Sequence, residues 1–151
     1  MSIRSPVKIE LDAGEIGWVQ FKLQVGEDAF EHHISDLTDA LGDLLRATLQ
    51  IVSGGFSAEC VFDLEPGPLS LRLERGLGKP MVPDTLSLSV RRLDVLAFSA
   101  VCASETFGEA VLALANGLFE AGPDRFHDRW DQPFPSRAHA ALRIALATPG
   151  V

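Results

Sequence analysis

One stretch limits the architecture more than any other: Ser35 to Gly55, SDLTDALGDLLRATLQIVSGG. Leu37, Leu41, Leu44, Thr48 or Leu49, and Val52 recur at three- and four-residue spacing, with Ala40 and Leu45 widening the stripe. That period builds one apolar face on an α-helix of about five turns. Ser35 or Asp36 can cap its start, early acids suit the helix dipole, and Gly54-Gly55 provides its end. One amphipathic helix cannot bury its own stripe, so the flanking segments must supply a sheet or further helices to cover it.

They do so by alternation. Pro6–Leu11 is a short candidate strand, and Trp18–Val25 places Val19, Phe21, Leu23 and Val25 opposite Trp18, Gln20, Lys22 and Gln24. Ala29–Ile34 can return beside it. Beyond Gly55, Phe56, Ala58, Cys60, Phe62 and Leu64 share a face. After the turn cluster Glu65-Pro-Gly-Pro68, Leu69, Leu71 and Leu73 alternate, and Leu86, Leu88 and Val90 follow a loop over 76–83. Residues 93–103 are apolar on both parities, the pattern of a strand buried on both faces. A bulged continuation competes there with a hairpin, and two strands are favoured.

Thr106-Phe-Gly-Glu109 reads as a capping box for a helix with Val111, Leu112, Ala115, Leu118 and Phe119 on its stripe, stopped at Gly122-Pro123. Phe126 to Trp130 has room for a helical turn. Ser136 is placed to cap a last helix carrying Ala138, Ala141, Leu142, Ala145 and Leu146. The fold class expected is α+β in a single domain, residues 1–151: a largely antiparallel sheet of about six or seven strands, one central amphipathic helix and two C-terminal helices.

Charge narrows the range of partners. The net −8 is concentrated in residues 27–65, where nine acids face the single base Arg46. Such a field opposes a nucleic-acid backbone and favours a basic protein partner, although a solvated helix face that aids solubility explains it equally simply. No apolar run approaches the roughly 20 residues of a membrane span, and the N-terminus carries no apolar signal segment. Cys60 and Cys102 stand in apolar settings without a CxxC neighbour. Two buried thiols in a reducing cytoplasm are expected, with a structural disulfide as the alternative.

Chemical motifs are sparse. His32-His33 are adjacent on a strand and point to opposite faces, and His127 and His139 stand apart, so no metal site is expected. Gly54-Gly-Phe-Ser-Ala58 lacks the second glycine of a nucleophile elbow, Gly76-Leu-Gly78 lacks the remainder of a phosphate loop, and Asp39 and Asp43 sit on the polar side of the helix. No catalytic residue, cofactor or enzymatic activity is expected. Trp18 stands on the polar side of its strand, either as an interface residue or beneath a covering helix. The spacing Phe126-x3-Trp130-x3-Phe134-Pro135 looks like an aromatic staple for the terminal helix.

Trp18 on the first hairpin, Ser35 to Ala47 on the helix, Glu65-Pro66-Gly67 and Phe126 to Pro135 together resemble a family of small uncharacterised bacterial proteins. These look like members of the loose group that includes the immunity proteins of bacterial toxin systems. The resemblance implies no catalytic residues. On this reading Trp18, Asp36, Asp39 and Asp43 are the candidate partner-binding residues of an immunity-like inhibitor. The competing classes are a homodimer formed through a sheet edge or the Trp18 face, and a ligand-binding or enzymatic domain with its site between sheet and helices.

Overall fold

The computed structural model describes residues 5–13, 18–35, 39–62, 68–76, 85–130 and 133–147. Among them the chain forms two antiparallel sheets and four helices. The first sheet is a meander of β1 (Val7–Ala13), β2 (Trp18–Val25) and β3 (Asp28–Ser35). Helix α1 (Ala40–Val52) follows, then the second meander of β4 (Ser57–Phe62), β5 (Leu69–Arg75), β6 (Thr85–Arg92) and β7 (Val95–Ala103). Helices α2 (Ser104–Ala121), α3 (Pro123–Trp130) and α4 (Ser136–Ala147) complete it.

The α+β class and the antiparallel pairing agree with the alternation in the sequence, but the single sheet does not. Period-two patterning states which face of a strand is buried, not which edge it pairs with. Here α1 separates two sets of sequential hairpins, and the sets meet through side chains. Phe21 of β2 lies against Phe62 of β4 with ring centroids 5.3 Å apart, and Phe30 of β3 against Phe98 of β7 at 6.0 Å. The inner faces of both sheets, α1, α2 and α4 contribute to one hydrophobic cluster.

The central helix is shorter than its pattern. Asp39 caps it, so Ser35 belongs to β3, while Asp36 lies outside the described residues. Three helices, not two, follow the second sheet, because Pro123 opens α3 directly after Gly122 stops α2 at φ +116°. The capping box is also displaced. α2 begins at Ser104 and Ala103 offers no side-chain cap, so Thr106 and Glu109 already lie inside the helix. Phe126 and Phe134 are buried with their rings edge to face at 5.4 Å, which is the staple without its third member. The side chains of Trp130 and His127 are outside the described set, as are the Glu65-Pro-Gly67 turn and residues 77–84. Ser136 is the first residue of α4, with its hydroxyl 3.5 Å from the Phe134 carbonyl oxygen.

Strand β7 corrects a second expectation. It is an edge strand, and Val95, Leu96, Ala97 and Ser99 are exposed; only its far end is buried, at Ala100 and Cys102. Phe56, expected on the buried face of β4, precedes the strand and is exposed. The β6–β7 reversal combines both features the sequence left open. There is a tight turn at Leu93-Asp94, and the register shifts between Val90 and Arg91. Both turn residues are left-handed, at φ +52° and +66°, the arrangement of a type I′ hairpin turn that favours Asn-Gly. A leucine there costs about 1 kcal/mol. The double substitution Leu93→Asn/Asp94→Gly is therefore expected to raise stability by about 1 kcal/mol and Tm by about 2–4 °C, read by thermal unfolding.

Candidate functional site

Of the candidate acids, Asp39 and Asp43 do not project as free charges, and Asp36 lies outside the described residues. Asp39 Oδ1 accepts the Gly42 amide at 3.2 Å, and one Arg46 nitrogen reaches Asp39 Oδ2 at 3.0 Å and Asp43 Oδ1 at 2.7 Å. Asp39 caps α1 and Asp43 lies in its first turn, so both favour the positive end of the helix dipole. The two carboxylates hold the Arg46 guanidinium above its ordinary range through hydrogen bonds, Asp43 first. A Cβ on Gly42 would stand 2.2 Å from Asp39 Oδ2, so the bare backbone at 42 is what lets the cap close. The apolar stripe that identified the helix carries no hint of this triad, since the 39–43–46 spacing reads on paper as a solvated face.

Trp18 is on the outer face of the first sheet, opposite Ser35, and 42% exposed. It is an open surface residue and no helix covers it among the described residues. No hydrogen bond, ion pair or ring contact among these residues joins it to Asp39 or Asp43. Among the described residues the other acids of the charged segment, Glu27, Asp28 and Glu31 on the β2–β3 hairpin and Glu59 on β4, are exposed.

Both cysteines are buried free thiols. Burial, with Asp43 and Glu59 adding to it, pushes Cys60 up to about 12, and its Sγ lies 3.6 Å from the Asp43 carbonyl oxygen. Burial alone pushes Cys102 to about 12. Thiols so rarely ionised are packing residues. His32 and His33 take opposite faces as the strand requires, and among the described residues no three His, Cys, Asp or Glu side chains gather as a metal site.

Two polar features were hidden from the pattern. Arg75 of β5 donates to the Ile51 carbonyl in the last turn of α1, a helix end with no basic residue of its own. His139 of α4 is buried, donates from Nε2 to Asn116 Oδ1 at 2.7 Å and lies against the rings of Phe119 and Phe134. Burial, with Arg143 adding to it, holds this imidazole below its ordinary 6.5. The unfolded chain therefore takes up a proton that the native state refuses, and stability present above about pH 6.5 is lost as pH falls below it. Unfolding in denaturant at pH about 8 and about 5.5 is expected to show this loss, and His139→Gln, which has no such proton to take up, to flatten it.

A broader surface feature flanks the first sheet. Between β1 and α2 runs a groove of about 340 Å³, lined by Val7 to Asp12 and by Ala110, Ala113, Leu114, Gly117 and Leu118. The helix residues fall at i, i+3, i+4, i+7 and i+8, a second apolar face beside the one that buries Phe107, Val111 and Ala115. The sequence signal was an α2 stretch apolar nearly all round, which a single stripe leaves unexplained. Comparison with family models, curated proteins and solved structures finds no match to this chain.

Proposed function

We propose that the chain is a non-catalytic protein-interaction domain, an immunity-like inhibitor that meets a basic partner through its acidic surface. The observation that supports this is the display of Glu27, Asp28, Glu31 and Glu59 as exposed carboxylates in a segment whose single base, Arg46, is already taken by Asp39 and Asp43. The acids that remain unpaired by Arg46 carry the attraction. Such a surface would speed association with a cationic partner and lose its effect as salt rises. Trp18, half exposed on the polar face of the same three-stranded sheet, stands at the opposite end of the β2–β3 ladder from the Glu27-Asp28 turn and would supply a separate apolar contact.

Reversing Asp39 would remove a helix cap, so charge reversal belongs first on Glu27, Asp28 and Glu31. The triple change to lysine is expected to leave unfolding within about 0.5 kcal/mol of wild type while weakening capture of a basic partner from lysate at least tenfold. Retained proteins would be identified by mass spectrometry and their binding measured against salt. Equal capture by wild type and variant, or binding indifferent to salt, would sink the proposal.

A further inference from the structure

Among the described residues strand β1 pairs with β2 on one side only, and its other edge faces the groove beneath α2. An edge strand offers a row of backbone donors and acceptors that only another extended backbone can match. The groove is the right kind of space for one. Its helix wall is built from small side chains, Ala110, Ala113 and Gly117, with Leu114 and Leu118 to meet apolar groups. A Cβ added at Gly117 would meet nothing, so that part of the wall is open.

Charge selects the occupant further. The outward side chains of β1 are engaged with their own sheet, Lys8 with Glu10 and Asp12 with Lys22. The helix wall has no base at all. Its exposed ridge reads Glu105, Glu109, Ala113, Gly117, Glu120, with acids at both ends of the apolar middle.

We propose that this groove binds an extended peptide segment of a partner protein, added to β1 as a further strand, apolar where it crosses α2 and flanked by lysine or arginine. Backbone pairing supplies affinity, and alternate side chains turned toward Ala110, Leu114 and Leu118 supply selection. The site is separate from the acidic β2–β3 hairpin, so either surface can fail without the other.

The test uses the full chain, isotope-labelled, and a synthetic peptide of alternating valine and threonine with a lysine at each end. Binding is expected to shift the amide resonances of Val7–Ala13 and of the 110–118 face, and to slow hydrogen exchange along β1 at least tenfold. A peptide with proline at its central positions cannot pair as a strand and is expected to bind at least tenfold more weakly. Gly117→Leu places a side chain into open space and replaces a helix-interior glycine, so the variant should fold while losing at least tenfold in affinity. Unchanged binding by that variant would overturn the proposal, as would resonance shifts confined to the β4 or β7 edge, or no binding at millimolar peptide. A free chain that is dimeric by light scattering, and made monomeric by Gly117→Leu, would overturn it in favour of a second copy as the occupant.

Discussion

Phe21→Ala is expected to cost about 3–5 kcal/mol, the largest effect of any single truncation considered. The ring is fully buried on the inner face of β2 and lies 5.3 Å from Phe62 of the other sheet and 6.3 Å from Phe30 of its own. Among the described residues no backbone ladder joins the two sheets, so their union there rests on side-chain burial and on such ring pairs. Removing the ring subtracts its transfer free energy and leaves a cavity between two sheets, each held rigid by its own hydrogen bonds and poorly able to collapse. In a chain of 151 residues that loss should lower Tm by roughly 10 °C. Phe21→Leu retains most of the volume and is expected to cost about 1–2 kcal/mol. The Phe21→Ala/Phe62→Ala pair should be non-additive by about 0.5–1.5 kcal/mol, because each single change already removes the ring contact. Denaturant unfolding of the four proteins decides it. A Phe21→Ala cost below about 1 kcal/mol would mean that the sheets do not share a core.

Arg75→Met is the second, with an expected loss of about 2 kcal/mol. The last turn of α1 ends in carbonyls that the helix cannot pair internally, and the helix supplies no nearby cation. Arg75 reaches from the end of β5 to the Ile51 carbonyl oxygen, combining a charge-assisted hydrogen bond with a favourable charge at the negative end of the helix. Methionine fills much of the same volume but leaves that carbonyl with only its 3.1 Å bond from the Gly54 amide and no cation beside it. It also removes a buried Nε that has no hydrogen-bond partner among the described residues, which offsets part of the loss. Arg75→Lys keeps the charge and one donor and is expected to recover about half. Amide exchange adds a local readout: Leu49 to Ser53 should lose protection in Arg75→Met before the sheets do. Equal exchange in both proteins would show that the contact does not hold the helix end.

Several elements could be read from residues alone, and for a common reason. The β2 strand, the α1 stripe, the Gly122-Pro123 stop and the hairpin partners Leu69, Leu71 and Leu73 all follow from local periodicity or from the backbone limits of glycine and proline. These act within a few residues, so one chain without its fold contains them. The same holds for the opposed faces of His32 and His33. The separation into two sheets could not be read this way. Ring packing of Phe21 on Phe62 and Phe30 on Phe98 is non-local, and alternation does not say which edges pair.

The candidate site divides along the same line. The sequence located the acidic segment and placed Trp18 on a polar strand face, because charge content and strand parity are properties of the chain itself. Only the tertiary structure decided that Asp39 caps α1 and shares Arg46 with Asp43, whereas Glu27, Asp28, Glu31 and Glu59 among the described residues are exposed. It also decided that β7 is an exposed edge despite its apolar run, that Arg75 serves a helix end 24 residues earlier, and that His139 is buried against Asn116. The physical reason is that burial and pairing energies depend on which surfaces meet. Side-chain identity sets what each residue can do, and its neighbours in space determine which of those possibilities is used.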